Sequence, residues 1–289
     1  MRVAVICLAY LGNPSGVFRL SRYFSRMDAH LFVHVDAKTP LEPYEPLGGE
    51  PNVTLLGQRR DIFWGGFNTV EAAVSAIEFA QATAHFDRFV FTTEDSVPLV
   101  NPGEMSCRLD SDVDWIAIHA DNPGWVWQRY RNFFFFDSRA TSFRYFEAIE
   151  RFITEHDLCR LDRMRNLMRE GKAELPELYH GCGWWALSRD TVNTILERHH
   201  RDRKLRESFE FSAIPEEQYF HTIIGLSASS RPRQNFMYVD WDRDAEIKPY
   251  VFSRYEELKG VREEQPDLLF VRKTGLDSED VDAFVDEML

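Results

Sequence analysis

The sequence predicts an α/β protein built on a mostly parallel central sheet flanked by helices. Three observations predict it. Short continuous apolar runs at Val3–Ala9, 30–35, 52–56, Arg88–Thr93 and 114–119 have the length and composition of strands covered on both faces. Segments with helical spacing separate the early ones, at 17–27 and 68–85. Residues able to do chemistry follow these runs, where an open α/β sheet binds its ligands.

The first run, VAVICLA, is too short to span a bilayer and lacks a cleavage pattern, so it reads as a first buried strand. No later stretch reaches the length of a membrane span, and a cytoplasmic location is expected, with peripheral attachment to an inner membrane as its variant. Residues 12–16 make a loop before the first helix. In the second helix Val70, Ala73, Val74, Ile77, Ala80 and Ala84 share one face, and Asn68 or Thr69 is placed to cap its start. The second half differs. An aromatic segment, GWVWQRYRNFFFF, precedes a helical stretch at about 142–170. Helices near 190–200 and from 214 onward, a strand-like FMYV, LLFVRK and an acidic terminal helix follow.

The 289 residues, 44% of them hydrophobic, suffice for one large unit spanning 1–289. A formal net charge of −13 argues against binding nucleic acid or an anionic membrane by bulk charge. Any phosphate must be held locally. Cys7, Cys107, Cys159 and Cys182 form no CxxC pair, so no zinc or redox motif is present, and Cys7 reads as a small buried residue.

Six motifs carry candidate chemistry. HVDAK places His34, Asp36 and Lys38 at the end of the second strand, where an acid can meet a ribose or base and a lysine a phosphate. In FWGGFN, Trp64, Gly65 and Gly66 offer close backbone approach or simply a tight turn. Glu94 and Asp95 of TEDSVPL suit a metal, sugar hydroxyls or a turn cap equally. GCGWW sets Trp184 and Trp185 beside two glycines; a tryptophan stacks on a sugar or base, but one of the two is expected in the core. IPEEQ opens a helix with two glutamates, which suit the helix dipole or supply a general base. Lys248, Arg272 and Lys273 bring late positive charge able to clamp a diphosphate.

The order of these motifs is more specific than any one of them. HVDxK, WGG, an acid before PL, GxGxW, Pro-acid-Glu with Thr222 five residues after Glu217, DW and a late RK together resemble glycosyltransferase family 14. That family comprises the core-2/I-branching β-1,6-N-acetylglucosaminyltransferases and the peptide O-xylosyltransferases. The resemblance runs from Val3 to Lys273 and is weakest at about 100–178. It implies the A-type glycosyltransferase fold, with a nucleotide-binding half at about 1–120 and an acceptor and catalytic half at about 121–289. It also implies an inverting enzyme with no metal or other cofactor, using UDP-N-acetylglucosamine or UDP-xylose as donor and a glycan or lipid-linked glycan as acceptor.

Carried across by position, the resemblance makes Glu217 the catalytic base, puts Asp36 in the uridine-nucleotide motif and sets Lys273 on the leaving diphosphate. Lys248 corresponds more loosely to a second basic residue there. Trp64 to Gly66 and the Glu94–Asp95 segment line the donor pocket, with Trp184 and Trp185 at its sugar end. Flat sugar faces stack on rings, so Trp125, Trp127, Tyr130 and Trp241 are the candidate acceptor platform. Cys182 stands where the family often has Ser, and Glu216 where it often has Asp.

Three rival readings make different demands on the sequence. A metal-dependent enzyme of the same fold would use Asp110/Asp112, Asp112/Asp114 or Asp240/Asp242. A non-catalytic nucleotide-sugar or glycan binder would not require Glu217 and Lys273 together. A dinucleotide oxidoreductase would carry GxGxxG after the first strand, and none is present.

Overall fold

The computed structural model describes residues 1–120, 123–134, 137 and 158–289. Among the described residues, ten strands form two sheets. The main sheet has seven strands in the order β3-β2-β1-β4-β7-β6-β8. These are β1 (Val3–Ala9), β2 (Ala29–Val35), β3 (Val53–Leu55), β4 (Arg88–Thr93), β6 (Asp114–Trp115), β7 (Trp185–Ser188) and β8 (Arg233–Gln234). The first four in that order are mutually parallel; β7 runs antiparallel to both β4 and β6. This is the mostly parallel α/β sheet the sequence predicts.

Helices cover both faces. They are α1 (Ser15–Phe24), α2 (Asn68–Thr83), α3 (Pro102–Leu109), α4 (Gly124–Arg131), α5 (Leu158–Glu170), α6 (Arg189–Arg201), α7 (Arg203–Glu210), α8 (Tyr219–Gly225), α9 (Tyr255–Glu264) and α10 (Glu279–Asp286). The run VAVICLA is apolar throughout because alternate side chains enter two different cores. Val3, Val5, Cys7 and Ala9 face a core shared with α1 and α10, while Ala4, Ile6 and Leu8 face the core under α2. β4 divides in the same way, Val90 to the first core and Phe89 and Phe91 to the second.

Adjacent parallel strands bring their carboxyl ends together. The Asp36 N–H donates to Ala9 O at 2.8 Å, and the Glu94 N–H donates to Leu8 O at 3.2 Å. A second sheet is formed by β5 (Ser96–Pro98), β10 (Phe270–Arg272) and β9 (Met237–Val239), in the order β5-β10-β9, and β5 follows β4 directly in the chain. Its register sets Arg272 opposite both Ser96 and Val239. A residue near the end of the chain is thereby placed beside the loop that follows β4.

The expected cap of α2 is corrected. Neither Asn68 nor Thr69 caps the helix. The Asn68 N–H donates to the Asp137 carboxylate at 3.1 Å, and the Asn68 side chain donates to Asp61 O. The expected helix at 142–170 is described only from Leu158; its earlier part lies outside the described residues. Among the described residues, no helix is long and apolar enough to cross a membrane.

Candidate active site

The loops after β1, β2 and β4 are tied together by buried acids. Glu94 is fully buried and accepts from the Tyr10 N–H at 2.6 Å and the Tyr44 hydroxyl at 2.7 Å. Burial pushes its carboxyl upward, against those donors. Glu94 therefore shapes the loop after β1 from the interior. Asp95 is equally enclosed but is bound to Arg272, whose Nε donates to Asp95 Oδ1 at 3.0 Å. The Arg272 Nη2 donates to the Tyr10 hydroxyl at 3.0 Å, and the guanidinium lies 4.8 Å over the Trp184 ring. Tyr10, which the sequence reading missed, thus joins the end of β1 to the end of β10. Its only sequence signal is its position one residue past a predicted strand.

Asp36 and Lys38 are joined to each other. The Lys38 ammonium lies 2.7 Å from Asp36 Oδ2 and 4.3 Å over the Phe63 ring. His34, expected at the donor, is interior: its Nε2 accepts from the Arg60 N–H at 2.9 Å, and burial lowers it to about 4. It therefore anchors the 57–63 loop as a neutral ring.

The FWGG turn does two jobs. Gly65 adopts a left-handed φ of 77°, and its carbonyl accepts from the Ile214 N–H at 2.9 Å. A Cβ on Gly66 would stand 1.9 Å from Asp137 Oδ1, so only glycine leaves room for the acid that caps α2. Trp64 is 72% exposed at the tip of this turn. Ile214, held by Gly65, has φ 51° and ψ 55°, a left-handed conformation that a β-branched residue rarely adopts. Strain of this kind gathers at functional sites, and this one opens the turn carrying the two glutamates.

Those glutamates lie in a 3-10 turn, Pro215–Glu217, immediately before α8, and not in a continuous helix. The Glu217 carbonyl accepts from the Gly181 N–H at 3.0 Å, which docks the turn on the GCGWW segment. A Cβ on Gly181 would stand 1.9 Å from Ala117 O, so glycine is required for this close approach. The result is a cavity of about 390 Å³. It is lined by Gly181 to Trp184, Met237 to Val239 and Asn235, together with Ala117, His119, His180, Glu217, Trp241 and Arg272.

Glu217 accepts from Arg129 Nη1 at 2.8 Å. Burial raises its carboxyl above the usual range, and the Arg129 charge opposes that rise. Its neighbour Glu216 has one buried oxygen without a hydrogen-bond partner; burial and the adjacent Glu217 push it up to about 8. Arg129, His119 and His180 were not singled out from the sequence. The His119–His180 pair is joined by mutual backbone hydrogen bonds of 2.8 and 3.1 Å, a bridge too short to leave a strand signature.

Three of the expected contact residues are corrected. Trp185, the first residue of β7, is fully buried against Phe91 and Phe220, while Trp184, just before the strand, lines the cavity. Tyr130 is buried and donates its hydroxyl to Ala173 O at 2.7 Å. Trp127 packs against Tyr130 and Arg131. Residues two apart on a helix point about 200° apart, so α4 turns Trp125 to the site and Trp127 away from it. Trp125, 46% exposed, meets His180 and carries Arg129 over its ring. Trp241, 57% exposed, lines the cavity. Phe135 and Phe136 of the aromatic segment lie outside the described residues.

The late basic residues gather on the Arg272 side. Lys248 donates to Trp241 O at 3.2 Å, which puts it beside that cavity residue. Lys273 is half buried. Desolvation and the charge of Arg272 lower its ammonium, and Asp95 raises it. Two carboxylates of the rival metal motifs, Asp114 and Asp240, are engaged in the fold. Asp114 is buried and accepts from Ser188 and Thr191 at the start of α6; Asp240 accepts from the Asp242 and Arg243 N–H groups. Among the described residues, no group of three or more His, Cys, Asp or Glu side chains is placed to hold a metal ion.

A search of the curated proteins finds no match. The family model for the core-2/I-branching enzyme matches residues 6–259, which include Asp36, Glu94, the GCGWW segment, Glu217 and Lys248 but stop short of Arg272. The chain belongs to the core-2/I-branching enzyme family, and it is a glycosyltransferase.

Proposed function

We propose that this chain is an inverting glycosyltransferase that works without a metal ion. It moves N-acetylglucosamine or xylose from a UDP-sugar to a hydroxyl of a glycan or lipid-linked glycan. The observation that carries this reading is that Glu217, the cavity's glutamate, and the cation Arg272 line the same 390 Å³ space.

The proposed reaction is one in-line displacement. Glu217 takes the proton of the acceptor hydroxyl, whose oxygen forms the new bond to the anomeric carbon. The bond from that carbon to the diphosphate breaks, and its electron pair leaves with UDP. Positive charge is needed where this negative charge develops, and fixed side chains supply it without reorganising. Arg272 is fixed by Asp95 and Tyr10, and Lys273 follows it directly in the chain. Lys248 adds a third positive charge beside Trp241. The same residues support independence from metal, since the candidate metal carboxylates Asp114 and Asp240 already serve the fold.

Asp36, Lys38 and the Trp64 turn, at the ends of the parallel strands, are the proposed nucleotide side. Trp184 is proposed for the transferred sugar, and Trp125 and Trp241 for the acceptor. Replacing Glu217 by Gln tests this reading: UDP release from the donor falls at least about 10²-fold, as expected for loss of a general base, while UDP binding is retained. Near-normal release by that variant contradicts it.

A further inference from the structure

We propose that Arg129 is the positioning residue of this site: it fixes one oxygen of Glu217, supplies its counter-charge and leaves the other oxygen for the acceptor hydroxyl. The inference rests on the reading of Glu217 as the base.

The geometry comes from one turn of α4. Trp125 and Arg129 are four residues apart and so share a helix face. The Arg129 guanidinium lies 4.4 Å over the Trp125 ring and donates to Glu217 Oε2 at 2.8 Å. The Arg129 backbone is held as well, its carbonyl accepting from the Ala213 N–H at 3.0 Å. That bond ties α4 to the chain just before Ile214 and the glutamate turn. The guanidinium is thus held by a ring on one side and a carboxylate on the other. Glu217 Oε1 makes no hydrogen bond to the described residues, and the Glu217 side chain lines the cavity.

Charge makes the arrangement consequential. A base must be ionised before it can take a proton, and burial disfavours the ionised form. Four other groups face Glu217. Glu216 lies beside it in the chain, and His180, Cys182 and Arg272 line the same cavity. Arg129 opposes the effect of burial more strongly than either His180 or Arg272. It is also the group bonded to the carboxylate, so its removal frees the rotamer and the charge together.

The test is a pH titration of the Glu217 carboxyl carbon by NMR in the full chain, with the resonance assigned by its loss in Glu217→Gln. In Arg129→Met the midpoint moves up by about 1–3 pH units, the size of an adjacent-charge effect. The acid limb of UDP release from UDP-N-acetylglucosamine or UDP-xylose, with water as acceptor, moves with it. Arg129→Lys, which keeps the charge, restores most of both shifts. An unmoved midpoint and acid limb in Arg129→Met, with Arg129→Met and Arg129→Lys melting alike, overturn the proposal while leaving Glu217 as the base. Normal UDP release by Glu217→Gln would instead show that the base assignment had failed and remove the role of Arg129 with it.

Discussion

Asp95 and Arg272, 177 residues apart in the chain, are joined by an ion pair of 3.0 Å with side chains only 4% and 13% exposed. The pair locks the loop after β4 to the end of β10 and aims the guanidinium at Trp184. Removing one partner of a buried pair strands the other charge. Asp95→Ala is expected to cost about 3–5 kcal/mol. Urea denaturation checks this, with a lower midpoint at an unchanged m-value. Arg272→Met should cost a similar amount, because it leaves the enclosed Asp95 uncompensated.

The two tryptophans of GCGWW should separate stability from turnover. Trp185→Ala empties a fully buried site and is expected to cost about 3–5 kcal/mol. Trp184→Ala removes a ring under a guanidinium, a contact worth about 1–2 kcal/mol, and reduces UDP release more than it lowers the melting temperature. Melting curves and UDP-release rates on both variants check the contrast. Equal loss of stability in the two would contradict the division between a buried Trp185 and a cavity-lining Trp184.

Stability should depend on pH in two windows of opposite sign. His34 and His199 are lowered to about 4 and His221 to about 3, all chiefly by burial. The unfolded chain binds protons there that the folded one refuses, so stability rises as pH increases from about 4 to 6.5. Glu216 runs the other way. Its carboxyl is raised from 4.5 to about 8, so the folded state keeps a proton that the unfolded state has lost, and stability falls through that range. Glu216→Gln removes this second slope. Its gain in melting temperature over the unsubstituted protein should be near zero at pH 4.5 and grow toward pH 8. A gain that does not change with pH would contradict the assignment.

Lys273→Met should weaken UDP binding by about 10- to 100-fold, the worth of one charge-assisted hydrogen bond. Isothermal titration with UDP checks it. Lys38→Met is expected to act differently, by releasing the Asp36 carboxylate that Lys38 now holds at 2.7 Å. Unchanged UDP affinity in Lys273→Met would remove that residue from the diphosphate clamp.

Much of the fold was legible because β1, β2 and β4 are buried on both faces and therefore read as unbroken apolar runs. α2 was legible from its apolar face. The position of a candidate was legible where one motif fixes it, as with Asp36 at the end of β2 and with Trp184 and Glu217, which line the cavity. It was not legible where a contact joins distant segments. Nothing local to Asp137 says that it caps α2, and nothing near Arg129 says that it meets Glu217. Treating 124–136 as an aromatic platform without a helical period put Trp125, Trp127 and Tyr130 together. The helix separates them, sending Tyr130 to the core and Trp127 to the far face. His34 and Glu94 were read as ligand groups because both follow or end strands; they are polar joints of the interior instead.

The central claim is that protein cations, in place of a divalent ion, neutralise the departing UDP. The most direct measurement is the rate of UDP release from UDP-N-acetylglucosamine and UDP-xylose in excess EDTA, with and without manganese restored. If protein cations serve in place of the ion, the rate is undiminished in EDTA, is not raised by manganese, and is lost in Lys273→Met. A rate that collapses in EDTA and returns with manganese would contradict it.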